Sequence, residues 1–386
     1  MTVLTEKQIS ALVDLRHVLH MRPEVSGEER ETANRVAREL ETLGATRIWR
    51  GLGGHGVAAE FKGAEDGPTV LLRCELDGLP IHEISDLPYK SQTDGKGHLC
   101  GHDGHMVSML GVATALFERR LVRGRLILLF QPAEETGAGA KAVIEDQRWP
   151  ELRPDYAFAY HNVPGRPLGE IGLRAGPGNC ASRGMQILLE GKSSHAAAPE
   201  DGVSPAAAMA VLMQELPKLG TGKIGENGFA LSTLTHARLG EPAFGIAPGL
   251  GELRATLRCM TDDRMEALVA AAKGLVAQHT TDLSVDVLWH DIFYTVTNDA
   301  DATDSARQVA ARQGLVLNEM ETPMRWSEDF GRFGTDGVKA AMLYIGAGVT
   351  QPQLHNPDYD FPDALIPIVS GLFYGIVEDI LGVVPA

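Results

Sequence analysis

Apolar positions recur along this chain with two different periods, and the places where the period changes mark its elements. Ile9, Leu12, Val13 and Leu19 share one helical face, which predicts an amphipathic helix over residues 5–20. Thr5-Glu6-Lys7-Gln8 reads as its cap, and Pro23 ends it. Ser26 and Glu29 have the spacing of a second capping box, ahead of a helix that buries Ala33, Val36, Leu40 and Leu43 and stops at Gly44. Residues 57–61 and 69–73 read as strands around a turn at 64–68. A helix over about 106–119 leads to the apolar run at 125–130, the pattern of a strand buried on both faces. A helix near 138–147 and a strand at 155–160 follow. This alternation predicts a largely parallel sheet covered on both faces.

The texture changes near Arg183. Strand 183–190, helix 203–219, strands 229–236 and 252–259, helix 261–279 and strand 283–289 give the order β-α-β-β-α-β. That is the ferredoxin-like split unit. The pattern then returns to a helix at 302–313, a strand at 340–345 and a last helix over 363–381. The expected fold is therefore α/β: a doubly wound catalytic domain formed by residues 1–178 and 294–386, interrupted by an inserted ferredoxin-like domain at 179–293.

Composition adds boundaries. A length of 386 residues exceeds one comfortable core, which agrees with two domains. A formal net charge of −16 argues against a nucleic-acid or anionic-membrane surface. No run approaches the ~18 apolar residues of a membrane span, and the N-terminus lacks a signal-peptide pattern. Four cysteines in so long a chain form no disulfide framework. A cytoplasmic protein is the expectation, with thiols free to bind metal.

The candidate chemistry gathers at strand ends. Glu134 and Glu135 leave the strand at 125–130, His161 follows the strand at 155–160, and His355 follows the strand at 340–345. Cys100-Gly101-His102 puts a thiol and an imidazole on one loop that returns to the same sheet. If the strands are parallel, these groups converge on one rim, where open α/β sheets bind ligands. Cysteine, histidine and carboxylate together suit zinc or a similar divalent ion. Two ions about 3.5–4 Å apart would hold and acidify a water that attacks a carbonyl. One of the paired glutamates would bind metal and the other accept the proton; the residue pattern alone does not say which. Asp103 and His105 read either as residues that orient a ligand or as parts of a helix cap, and Asp77 reads as a supporting rather than a ligating group. Arg254 or Arg258 could bind a substrate carboxylate. His17, His20, Cys74, Cys180 and Cys259 read as packed or surface residues.

Nearly the whole chain resembles the M20 metallopeptidase family, in particular its branch of N-acyl amino acid amidohydrolases, which includes hippurate hydrolases. The resemblance runs through Leu19-His20-Met21-Arg22-Pro23-Glu24, Arg73-Cys74-Glu75-Leu76-Asp77-Gly78-Leu79-Pro80, His98-Leu99-Cys100-Gly101-His102-Asp103-Gly104-His105, Gln131-Pro132-Ala133-Glu134-Glu135, Ser193-Ser194-His195-Ala196, Ser327-Glu328-Asp329-Phe330 and Leu354-His355-Asn356-Pro357. It implies that Cys100, His102, Glu135, His161 and His355 hold two divalent ions, zinc or manganese first, with cobalt or nickel as alternatives. It implies that Glu134 is the general base and that His195 polarises the scissile carbonyl. The smaller domain would be a lid and the interface of a homodimer or larger homo-oligomer. Two departures bear on substrate: Gly245-Ile246-Ala247-Pro248 stands where the family usually has Asn-Val-Ile-Pro, and Glu75 stands where aspartate is common. The expected activity is metal-dependent hydrolysis of the amide bond of a small N-acyl amino acid or related conjugate. The alternatives are a dipeptidase or carboxypeptidase using the same site, or a non-catalytic metal-dependent binding protein.

Overall fold

The computed structural model describes residues 3–385. They form two compact units, the first made of residues 3–178, 296–320 and 329–385, the second of 179–295 and 321–328.

The first unit is built on an eight-stranded mixed sheet. Its strand order is Arg47–Leu52, Gly56–Lys62, Arg123–Gln131, Glu65–Glu75, Tyr156–Pro164, Lys339–Gly348, Ile171–Leu173, Leu317–Glu319. The four strands in the middle, from Arg123–Gln131 to Lys339–Gly348, are mutually parallel. Antiparallel pairing begins at Gly56–Lys62 on one side and at Ile171–Leu173 on the other. The strands expected to flank the turn at 64–68 are not neighbours, because Arg123–Gln131 lies between them. Its continuous apolar run, Leu126–Phe130, is buried on both faces, and only a central position removes both faces from water.

On one face, Val70, Leu72, Cys74, Leu126 and Leu128 pack against helices Glu6–His20, Arg30–Thr42, His102–Leu116 and Leu365–Leu381. Leu372, Phe373, Ile376 and Val377 of the last helix are fully buried there, each contributing about 1.5–3 kcal/mol. The short helix Gly139–Ile144 and the 3-10 turn Asp329–Gly334 pack together and touch this sheet as well.

The first helix has the expected capping box between Thr5 and Gln8. The second does not. Ser26 Oγ donates instead to Asp77 Oδ2 at 2.7 Å, and Glu29 Oε1 accepts from the backbone of Gly27 and Ala133. Glu24 caps that helix, accepting the N–H of Glu31 and Thr32. The box spacing is present in the sequence, but its two side chains are drawn to the sheet rim.

The second unit has a four-stranded antiparallel sheet in the order Ala230–Leu239, Leu250–Cys259, Ala181–Glu190, Ser284–Phe293. Helices Ala206–Glu215 and Asp262–His279 pack on it through Met209, Leu212, Leu268 and Ala272 against Ile187, Leu189, Leu253 and Leu257. The order is the ferredoxin-like one expected from the sequence. Thr261 caps the longer helix by accepting from Arg264 N–H. The shorter one gives way to a 3-10 turn, Leu216–Leu219, at Pro217, which has no N–H to continue it. Among the described residues, no helix is long and apolar enough to cross a membrane.

Candidate metal centre

The carboxyl ends of the parallel strands in the first unit carry the chemistry. Helix His102–Leu116 starts four residues earlier than the periodicity suggests, so His102, Asp103 and His105 all fall in its first turn. Gly101 caps it in the left-handed conformation at φ 91°, and a Cβ there would lie 2.7 Å from Asn162 Oδ1. Only glycine combines that backbone with that approach. His161 lies inside the strand Tyr156–Pro164 rather than beyond its end. Two non-glycine residues with positive φ flank the cluster: Ala133 (φ 50°), ahead of the glutamate pair, and His355 (φ 66°). Each is held by its own N–H, Ala133 to Glu29 Oε1 and His355 to the carbonyl of Leu99, both at 2.8 Å.

These elements bring six side chains together. Ligand atoms of Cys100, His102 and His161 lie within 4.8 Å of one another, as do those of Cys100, Glu135 and His355, and those of His102, Glu134 and Glu135. Cys100 Sγ is 3.4 Å from His161 Nε2, and His355 Nε2 is 3.5 Å from Glu135 Oε2. The two buried rings have fixed tautomers. His102 Nδ1 donates to the carbonyl of Asp77 at 2.8 Å, and His161 Nδ1 donates to the carbonyl of Asn162 at 2.9 Å. A carbonyl can only accept, so each Nδ1 keeps its proton and each Nε2 faces the cluster, where it offers a lone pair once it carries no proton. His102 Nε2 is buried and makes no hydrogen bond.

The carboxylates make the pocket electronegative, so it favours a positive charge, a proton on His102 included. Burial alone would lower the His102 pKa, but the Asp77 carboxyl and the charges of Glu75 and Glu135 outweigh it and push it up to about 10. Burial, then Glu135 and Glu134, hold the Cys100 thiol well above its ordinary range. Burial and His105 keep His161 well below the usual imidazole range. A thiol, three imidazoles and two carboxylates around one negative pocket, with the buried, unbonded His102 Nε2 facing it, fit divalent d-block cations.

Around the cluster lies a layer of polar partners. Asp77 Oδ2 accepts from Glu135 N–H at 3.0 Å as well as from Ser26. Asp103 pairs with Arg16 at 3.0 Å and with His20 at 2.9 Å, and Arg16, fully buried, also meets Asp360 and Asp363. His105 joins Glu75 at 2.6 Å to Asn162, whose Nδ2 donates to the Tyr359 hydroxyl. Burial would raise the Glu75 pKa, but Arg73 and His105 hold it well below the usual carboxylate range. Sequence reasoning read Glu29 only as a helix cap and missed Asn162, Tyr359 and Arg16. Asn162 had a signal in its place beside His161; Arg16 and Tyr359 had none.

His195 belongs to the second unit. It lies on the two-stranded ribbon Ser194–His195 and Ile246–Ala247 and is exposed. Its Nδ1 accepts the backbone N–H of Ala197 at 3.0 Å, which leaves Nε2 as the ring donor. Of the two arginines on strand Leu250–Cys259, Arg254 pairs with Glu252 at 2.6 Å. Arg258 instead donates to Ser327 Oγ at 2.8 Å and to the Arg325 carbonyl, and among the described residues it forms no ion pair with a carboxylate. Burial and the neighbouring Arg325 lower its pKa.

A mixed α/β sheet with a rim of candidate metal ligands, in a chain that also carries a ferredoxin-like insertion, is the architecture of a metallopeptidase-class hydrolase. The chain belongs to peptidase family M20/M25/M40, whose description matches residues 71–379. It is 32% identical over 380 residues to an N-acetyl-L-cysteine deacetylase of Bacillus subtilis, covering 97% of this chain and 89% of that one. It is 30% identical over 360 residues to a hippurate hydrolase of Campylobacter jejuni, covering 91% and 92%. Among solved structures it is similar to a dinuclear metal-binding M20 peptidase of Bacillus subtilis, with a TM-score of 0.78, 27% identity, and 98% and 99% of the two chains covered.

Proposed function

We propose that this amidohydrolase cleaves the amide bond of N-acyl amino acids or related small conjugates, using two divalent cations held by Cys100, His102, Glu135, His161 and His355. The observation that carries the reading is the shared cluster, in which Cys100 is common to two ligand groups. Bound cations in such a site polarise a carbonyl and lower the pKa of water. The cysteine favours zinc, and manganese, cobalt and nickel remain alternatives.

Glu134 is the general base in this reading. It is buried beside Glu135 on the same turn, and it takes the proton of the attacking water and passes it to the leaving amine. His195 offers its Nε2–H to the carbonyl oxygen as negative charge builds there. Arg258, a half-buried cation with no acid of its own, suits the carboxylate of an amino-acid product. The strand Leu250–Cys259 rises about 3.3 Å per residue, so Arg258 lies roughly 25 Å along it from Leu250, near which the His195 ribbon joins. One small substrate does not span that distance, which supports a homodimer in which His195 comes from a second copy. In the same reading the inserted unit is the lid and interface, and the protein works in the cytoplasm.

The relatives named for N-acetylcysteine and hippurate support an N-acyl amino acid. A thermostable carboxypeptidase of Saccharolobus solfataricus, 29% identical over 333 residues, favours peptide cleavage as the second reading. Hydrolysis of acetyl-, benzoyl- and aminoacyl-amino acids by protein loaded with each metal decides between them. Turnover of the acetyl or benzoyl series is expected. Turnover confined to aminoacyl substrates selects the second reading, and none with any metal leaves a binding protein.

A further inference from the structure

The ribbon that carries His195 pairs it with Ile246, and Ser194 with Ala247. The N–H of Ala196 donates to the carbonyl of Gly245 at 3.0 Å, so the pair flanking it, His195 and Ile246, is a non-hydrogen-bonded one. In such a pair both side chains stand on the same face, with Cα atoms only about 4.5 Å apart. Neither is covered: His195 is exposed, and Ile246 leaves 59% of its surface in solvent. Ile246 also lines a groove of about 830 Å³, with Pro248, Leu250 and Leu188 further along the wall. His195 stands directly across the ribbon from Ile246, beside but not in the groove's lining.

Single exposed apolar residues are ordinary on protein surfaces. Here Leu239, Phe244, Ile246 and Leu250 are all exposed within one stretch of chain, and Phe244 is wholly so. We propose that Ile246 is a specificity-determining residue whose side chain packs on the acyl group of the amide held by His195. The inference rests on the reading of His195 given above. A carbonyl oxygen within hydrogen-bond reach of Nε2 has both the first carbon of the acyl chain and the amide nitrogen two bonds away. Both halves of the amide therefore begin within reach of the next side chain on the same ribbon face, and its chemistry decides between them. Ile246 has no polar atom to offer a carboxylate, so the apolar acyl half of the substrate, and not the amino-acid half, is its partner. The preferred substrates are then amides of branched or aromatic acids.

The test compares kcat/KM of the full-length, metal-loaded wild type and Ile246→Ala on N-acetyl-, N-butanoyl- and N-benzoyl-alanine, and on N-acetyl derivatives of alanine, leucine and methionine. The expected loss grows with acyl size, by about tenfold or more between acetyl and benzoyl. It is flat across the amino-acid series, and Ile246→Leu, which conserves volume, restores most of the benzoyl rate. A uniform loss, or one that follows the amino-acid side chain, overturns the proposal. His195→Ala separates the two layers of the argument. If it leaves kcat unchanged, the reading of His195 and this proposal fall together. If it collapses kcat while Ile246→Ala is flat across acyl groups, only the acyl contact is lost.

Discussion

The ring Nδ1 of His102 lies 2.8 Å from the backbone carbonyl of Asp77, and the carboxylate of that same aspartate accepts the N–H of Glu135 at 3.0 Å. One residue at the end of strand Glu65–Glu75 thus orients two candidate ligands from different parts of the chain. The expected effect of Asp77→Ala is a 10–100-fold loss of metal affinity, since such supporting contacts typically carry that much. Competition with a chromogenic chelator measures it. The main-chain contact to His102 survives, so the loss arises through the carboxylate, which serves Glu135 and Ser26 and sets the charge beside His102. Unaltered affinity would remove Asp77 from the site.

Glu134 and Glu135 are adjacent, yet they have separate tasks in the proposed mechanism. Glu134→Gln keeps the shape and removes the base. It is expected to lower kcat by about 10²–10⁴-fold with KM little changed. Metal content, measured by atomic emission, should remain that of the wild type. Glu135→Gln should lose metal instead. Identical behaviour of the two variants would contradict the division of roles.

Gly101 combines a left-handed backbone with contact against Asn162. Gly101→Ala meets about 1–2 kcal/mol of backbone strain, and the Cβ must also displace Asn162 or the helix start. Cys100 and His102 flank that position. The expected result is a modest drop in thermal stability together with a far larger loss of metal binding. Calorimetry beside a metal titration compares them, and equal loss of both would mean the glycine serves stability alone.

His20 is buried between Asp103 and Glu83. Burial alone would lower its pKa, but the two carboxylates outweigh it and push it up to about 10, against about 6.5 in an unfolded chain. A raised folded-state value means that the contribution to stability is complete below about pH 6.5 and is lost as pH rises through about 10. Wild-type Tm should therefore decline across that window. His20→Gln should be less stable at pH 6 by about 3 kcal/mol, because a buried charge loses its partner. It should also show a flatter Tm profile between pH 7 and 10. Parallel profiles for the two proteins would rule out His20 as the group responsible.

Much of the architecture can be read from the residues. The run at 125–130 is apolar on both faces because it is central, and the β-α-β-β-α-β order of the inserted unit follows from its alternating strands. Strand order is harder to read. Nothing near 57–61 or 69–73 announces that a third strand, beginning only at Arg123, will separate them. The six clustered side chains stand out because cysteine, histidine and carboxylate are rare together at strand ends. Their supports do not stand out. Ser26 and Glu29 satisfy a local capping rule that tertiary contacts override, and Arg16 meets Asp360 and Asp363 across more than 340 residues of chain. Local pattern carries no information about such partners.

Strand Lys339–Gly348 occupies an interior place in the large sheet, between Tyr156–Pro164 and Ile171–Leu173. Emerging from the ribosome, the first unit thus lacks a central member of its sheet until nearly nine-tenths of the polypeptide has been made, whereas every strand of the smaller sheet is complete once residue 293 has emerged. Nascent chains halted short of residue 339 should resist protease across 181–293 while being cut within 47–164. On that result, synthesis completes the sheet of the inserted unit first and the eight-stranded sheet of the first unit last.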